Sequence, residues 1–370
     1  MRFSFILIGM MFFSAVDGIS KADVPVTQMR RLYDFTPVSA SNPILVTIKT
    51  YGIGIPISEA RAYFSSEFPE NPIQKMSPAE KRRHLDELID DHLFLWEGYQ
   101  EKANQTPGLI RLLRNTQALL MQETLTQMEV GSKAKNQDDY QRLSKQLLDQ
   151  TFDKAEVIVS NEAYDQLKAT VKRLNLALAP AISPGAKPKL DSLAPEVQDR
   201  SLAKCKLGMI TIGDFLTAYL RIPPSQRPDI QTQNGTVDML KRMLEDDLLI
   251  EEARERGLDK APIVMEKLQL NLNIQTRLYA LDQITKKTVN DMKSPGHEAQ
   301  LKQWYKDHVA DLYTYKDDKG QIQVETYDSI RDRIENDYFD AMNEQNRAKL
   351  IQSLRQGQTV DINEKLYESL

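Results

Sequence analysis

The stretch Ile55-Pro56-Ile57-Ser58-Glu59 falls in register with Ile210-Thr211-Ile212-Gly213-Asp214, 155 residues further on. The same offset, without gaps, lays Leu85 on Leu240, Asp91 on Asp246 and Leu93 on Leu248. It continues with Glu97 on Glu252, Pro107 on Pro262 and Leu113 on Leu268. Identities at one fixed spacing over some sixty positions are the mark of an internal repeat rather than of shared composition. A second register joins the far ends of the repeats. Val157-Ile158-Val159-Ser160-Asn161-Glu162-Ala163-Tyr164 matches Val360-Asp361-Ile362-Asn363-Glu364-Lys365-Leu366-Tyr367, at an offset of 203. The second repeat therefore holds 203 minus 155, or 48, additional residues between its middle and its end.

Helix signals fill the repeats. Ser77-Pro78-Ala79-Glu80 combines an N-cap serine, proline at the first helical position and a glutamate able to close a capping box. Behind it Leu85, Leu88, Ile89, His92, Leu93 and Trp96 recur at helical spacing. Thr106-Pro107 opens the next helix, with Ile110, Leu113, Leu120, Met121, Leu125 and Met128 following. Met243, Leu244, Leu248 and Ile250 serve the second repeat before Gly257 stops the helix and Pro262 restarts it. Short apolar strands open the repeats at Leu45–Lys49 and Leu202–Leu207 and close them at Val157–Val159 and Val360–Ile362. Pairing of the opening with the closing strand of the same repeat would seal each as a unit.

Between the repeats, residues 177–195 carry Pro180, Pro184, Gly185, Pro188 and Pro195, which excludes regular helix and predicts a stiff connector. At the other end Arg2 precedes Phe3–Val16, an uncharged apolar run too short to span a membrane and suited to a signal peptide. Ser20-Lys21-Ala22 supplies the small residues of a cleavage site, with Gly18 or Ser20 as alternatives. The predicted organisation is a signal peptide at 1–22, a first unit at 23–177, a linker at 178–195 and a second unit at 196–370. The lone Cys205 excludes an internal disulfide, and alternation places it with Ala203 and Leu207 on one strand face as a small hydrophobe.

Taken together, these features resemble the N-terminal core of the SurA-type, parvulin-associated chaperones of bacterial envelopes. The carriers are Leu207-Gly208-Met209-Ile210-Thr211-Ile212-Gly213-Asp214-Phe215, then Leu248-Leu249-Ile250-Glu251-Glu252-Ala253, Pro262-Ile263-Val264 and the final Val360-Asp361-Ile362. The likeness is best over residues 200–285 and weaker over 43–130. It implies a mainly α fold of two tandem SurA-core-like units, each with short strands pairing its start and end. It also implies a periplasmic, Gram-negative-type location and an ATP-independent holdase for unfolded or exported polypeptides. The family usually inserts a parvulin prolyl-isomerase domain before the last helix and strand. Here residues 290–327 are too few for it and read as a helix followed by a hairpin, in which Tyr313 and Tyr315 face Ile322 and Val324 across residues 316–320.

Composition narrows the function. The net charge of -5, with both signs interspersed, lacks the basic stripe that nucleic acid requires. None of the histidines sits in a parvulin-like strand: His92 and His308 read as core or boundary residues, His84 and His297 as solvated. No nucleophile elbow, zinc-protease helix or phosphate-cradling loop occurs. Asp90-Asp91 and Asp246-Asp247 are adjacent on helices and so point about 100° apart, which suits solvated faces better than metal ligation. No catalytic, cofactor-binding or metal-binding residue is therefore predicted. Client contact is assigned to Met121, Met128, Tyr305, Tyr313 and Tyr315, because thioethers conform to varied partners and tyrosines suit wet, permissive interfaces. Two other readings stay open: a divergent peptidyl-prolyl isomerase, and a dedicated scaffold of an envelope secretion or polysaccharide-export system. A homodimer formed by exchange of terminal strands also stays open.

Overall fold

The computed structural model describes Ser39, residues 41–183, Leu190 and residues 193–370. The predicted signal peptide lies outside them, as do 184–189 and 191–192 of the predicted linker. The described chain is mainly helical. The first repeat runs β1 (Ile44–Ile48), β2 (Ile53–Pro56), α1 (Ile57–Glu67), α2 (Pro78–Gln100), α3 (Pro107–Thr126), α4 (Gln137–Lys154), β3 (Ile158–Val159) and α5 (Asn161–Arg173). A short α6 (Pro195–Gln198) leads into the second: β4 (Ser201–Cys205), β5 (Gly208–Thr211), α7 (Ile212–Arg221), α8 (Gln233–Glu255) and α9 (Pro262–Met292). It ends with α10 (His297–Leu312), β6 (Thr314–Lys316), β7 (Ile322–Val324), α11 (Arg331–Arg355), β8 (Val360–Ile362) and α12 (Glu364–Glu368).

The repeat read from the sequence is a repeat of structure. β2 and β5, α1 and α7, α2 and α8, and α3 and α9 each begin 155 residues apart (208 minus 53, 212 minus 57, 233 minus 78, 262 minus 107). α5 and α12 begin 203 apart (364 minus 161). Local caps explain why the starts are so well kept. Glu80 N–H donates to Ser77 Oγ and Ser77 N–H to Glu80 Oε2 at 2.7 Å, the predicted capping box with Pro78 at the first helical position. Thr211 and Asp214 form a second box at the start of α7.

Strand pairing departs from the expectation. β1 pairs antiparallel with β2 and with β8, whereas β4 pairs with β5 and with β3. Each hairpin is thus completed by the closing strand of the other repeat. The helices follow the strands, so the compact units are, in the described residues, 115–265 and 41–114 with 266–370. Each is half of one repeat joined to the complementary half of the other. The predicted boundary at 178–195 falls inside the first of these units, not between two.

The larger apolar cluster of the first unit joins helices and strands of both repeats. Leu167 and Val171 of α5 pack with Leu202 of β4, Ile212, Phe215 and Leu216 of α7, and Leu240 of α8. Leu190 and Leu193 of the proline-rich stretch are buried in the same cluster. Arg227 fastens it. Its guanidinium donates to the carbonyls of Leu176 (2.8 Å), Ala179 (2.7 Å) and Leu220 (3.2 Å), tying the exit of α5 to the end of α7. A second cluster in the unit joins Met121 and Leu125 to Leu147, Leu249 and Val264. Cys205 packs partly buried against the main cluster beside Ala203, as predicted, while Leu207 lies exposed in the turn.

In the other unit Leu45, Val46 and Ile48 of β1, Ile55 of β2, Phe64 of α1 and Leu85, Leu88 and Ile89 of α2 form the core, with Leu354 and Leu370 closing it. α9 approaches α2 closely where Gly98 faces Thr276: a Cβ on Gly98 would stand 2.3 Å from the Thr276 carbonyl oxygen. Among the described residues no helix is long and apolar enough to cross a membrane.

Candidate functional site

The 48 additional residues of the second repeat contain α10 and the β6–β7 hairpin, the helix and hairpin predicted for this segment. Their anchor is a small core of Leu301, Tyr313 and Ile334, all fully buried, ringed by Trp304, Tyr305, Val309, Tyr327 and Tyr338. Tyr305 stacks on Tyr313 at 5.6 Å and meets Tyr327 edge-on at 5.7 Å. Such aromatic pairs add specific geometry to apolar burial. The buried hydroxyl is satisfied: Tyr313 donates to Asp337 Oδ2 at 3.0 Å and accepts from Trp304 Nε1 at 3.2 Å. Burial pushes the Tyr313 phenol above its ordinary range. Tyr305 donates to the Glu325 carbonyl at 2.7 Å, and Arg333 donates to the Glu325 carboxylate and the Leu312 carbonyl. The hairpin is therefore clamped at its base.

Its tip is equally defined. Asp317 N–H donates to the Gln321 carbonyl at 3.0 Å, and Gly320 adopts φ 75, the left-handed residue of a three-residue loop. The Asp317 carboxylate accepts from the Lys319 and Gln321 amides, both at 2.9 Å, and from Gln323 Nε2 at 3.0 Å. These hydrogen bonds hold its carboxyl below the usual range, the Gln321 amide foremost.

The register differs by one residue from the predicted one. Thr314 opposes Val324, Tyr315 opposes Gln323 and Lys316 opposes Ile322. Because strand side chains alternate, a one-residue slip moves a residue to the other face. Tyr315 thus lies on the face opposite Ile322 and Val324. The exposed apolar set is Ile322 (71%), Tyr315 (55%) and Val324 (53%), with Leu312 nearby.

Two of the predicted contact residues are core residues. Met121 is only 3% exposed and packs against Leu125 and Leu249, because α3 turns that face onto α4 and α8. Tyr313 is buried for the reasons above, and Tyr305 is half-buried as its stacking partner. Met128 (48% exposed) and Tyr315 remain at the surface, one in each compact unit. Sequence reasoning missed Ile322 and Val324 as contact candidates, although Gln321-Ile322-Gln323-Val324-Glu325 alternates polar and apolar in a segment with little core to cover.

Each histidine packs against an aromatic ring or a carboxylate. His92 is buried, as predicted, and its Nε2 lies 2.8 Å from Glu59 Oε1. His308 stacks on Trp304 at 3.7 Å. His84 was expected in solvent but is buried, with its ring 3.8 Å from that of Phe68 and Nδ1 2.8 Å from Glu87. His297 is also mostly covered, 5.9 Å from the Tyr338 ring. Asp90 and Asp91 are engaged by Arg355 and Arg277, and Asp246 by Gln122. Among the described residues no group of three or more histidine, cysteine, aspartate or glutamate side chains is placed to hold a metal ion. A cleft of about 290 Å³ lies beside α10, between Thr288, Asp291, Gln300 and Tyr338. The Thr288 hydroxyl there is committed to the Ile284 carbonyl and to Asn346 Nδ2, so it is not poised as a nucleophile.

No protein-family model matches the chain, and neither does a curated protein or a solved structure.

Proposed function

We propose that this protein is an ATP-independent chaperone of the bacterial periplasm, related to the SurA-type core, that holds unfolded or exported polypeptides and does not catalyse prolyl isomerisation. The observation that carries this reading is the β6–β7 hairpin. It presents exposed apolar side chains from a frame locked by Tyr313, Tyr305 and Arg333. Exposed apolar groups on a rigid base, within a chain of interspersed charge, suit reversible capture of apolar segments. The resemblance in residues 200–285 points the same way, as does the short insertion where the family carries its isomerase domain.

The test is suppression of aggregation of a urea-unfolded outer-membrane protein on dilution, without nucleotide. Protection at stoichiometric amounts is expected; none at large molar excess defeats the reading. Acceleration of a proline-limited refolding reaction would favour the isomerase reading instead. Recovery of one stoichiometric envelope partner, with no protection of unfolded clients, would favour the scaffold.

A further inference from the structure

We infer that the outer edge of β7 is a strand-addition site, where an extended polypeptide with apolar side chains at alternate positions pairs with the main chain of Ile322 and Val324. The inference deepens the chaperone reading and rests on it for the nature of the client.

The hairpin's hydrogen bonds decide which way its main chain points. Glu325 N–H donates to the Tyr313 carbonyl at 2.9 Å and Asp317 N–H to the Gln321 carbonyl at 3.0 Å. Antiparallel ladders alternate hydrogen-bonded with non-hydrogen-bonded pairs. With Tyr315 opposite Gln323, that pair faces inward, and the pairs Thr314–Val324 and Lys316–Ile322 direct their N–H and C=O groups away from the partner strand. On the β7 side these outward groups belong to Ile322 and Val324, the residues whose side chains are also exposed. Among the described residues nothing hydrogen-bonds to either main chain.

Free edges are usually blunted by charge, proline or irregularity. The other outer strands show such devices: β2 ends in Pro56, β8 carries Asp361 ion-paired with Lys49 at 2.5 Å, and β5 begins with Gly208 at φ 138. β3 has only two residues. On the hairpin itself the β6 edge carries Lys316. The β7 edge, Ile322-Gln323-Val324, has no charge, no proline and no bulge. An added strand would meet two N–H donors and two C=O acceptors. Its inward side chains would lie beside Ile322 and Val324, which is why alternate apolar residues are required. The clamp at Tyr313 and the turn at Asp317 hold the edge in register before a client arrives, which lowers the ordering cost of capture.

Binding is measured with the full chain and a labelled synthetic peptide alternating valine and serine, by fluorescence anisotropy. The control is the same side-chain sequence with its central amide nitrogens methylated, which removes the peptide's ladder donors. V324P deletes an outward N–H while sparing the inward Tyr315–Gln323 pair, and V324K serves if V324P alters the thermal unfolding of the protein. The unmodified peptide is expected to bind, and either methylation or V324P to weaken it at least about tenfold. Equal affinity for the methylated peptide, or wild-type affinity in a folded V324P or V324K, overturns the site. So does self-association lost in V324P without peptide binding, since the edge would then serve a second copy. Aggregation suppression measured on the same variants separates the two ideas. Protection that survives loss of the edge leaves the chaperone reading standing without this site, whereas peptide binding without protection leaves the site and removes the reading.

Discussion

His92 Nε2 and Glu59 Oε1 stand 2.8 Å apart with both side chains buried, joining α2 to α1 inside the core that carries β1. One repeat later the corresponding positions, 59 plus 155 and 92 plus 155, hold Asp214 and Asp247. Two carboxylates have no reason to approach. Asp214 instead turns to cap α7 with Thr211, and Asp247 lies at the surface. The two repeats keep their helices and differ in what ties the first helix to the second.

Replacing His92 with leucine withdraws the imidazole from a fully buried carboxylate. A loss of about 2–3 kcal/mol is expected, with part of it recovered in the Glu59→Leu/His92→Leu double variant. Urea unfolding checks this: the midpoint should fall in the single variant with little change in slope.

Gly98→Ala should destabilise the protein by about 1–3 kcal/mol even though alanine is the better helix former, because its methyl would strike the Thr276 carbonyl. The position one repeat later, 98 plus 155, is Ala253, whose methyl is already buried. There the reverse change, Ala253→Gly, should cost about 1 kcal/mol through propensity and lost contact. Thermal unfolding of the two variants measures the contrast.

Arg227→Met removes donors from the carbonyls of Leu176, Ala179 and Leu220 at once. Hydrogen bonds to a charged group contribute about 1.5–3 kcal/mol, so residues 176–182 should open locally. Thermolysin is expected to cut within 176–182 in the variant well before it cuts the native protein. Arg227→Lys should rescue little, since one ammonium cannot reproduce the fork.

The hairpin turn should be acid-sensitive. Hydrogen bonds to the Asp317 carboxylate lower its folded-state pKa, so their contribution is complete above the ordinary carboxylate range near about 4 and is lost as pH falls through the lower folded value. Amide resonances of Lys319 and Gln321 should shift together as the solution is acidified below that range. Asp317→Asn should flatten this dependence.

The exchanged halves predict how the chain can be divided. Residues 115–265 alone should unfold cooperatively, since they contain a complete sheet and core. Pieces cut at the repeat boundary, 39–177 and 196–370, each lack the strand that completes their hairpin. They should be poorly folded alone and recover native circular dichroism on mixing.

Much of this protein is written locally. The 155-residue spacing, the Ser77–Glu80 capping box, the proline starts of α2, α3 and α9 and the helix–hairpin of the second repeat are all legible in the chain, because each depends on residues near one another. Burial of Met121, Tyr313 and His84 was not legible, since it depends on which distant element covers a helix face or strand. The hairpin register turned on hydrogen bonds at Asp317 and Glu325 that apolar alternation does not specify. The exchange of halves was the least accessible feature. Duplication leaves two similar hairpins and two similar closing strands, so local propensity and alternation satisfy either pairing equally. The choice of β3 with β4 and β8 with β1 rests on long-range contacts: α5 and the Arg227-bound stretch packed onto α7 in one core, Leu354 and Leu370 closing the other. The sequence alone determined that there are two related helical repeats, and only the tertiary structure decided which half belongs with which.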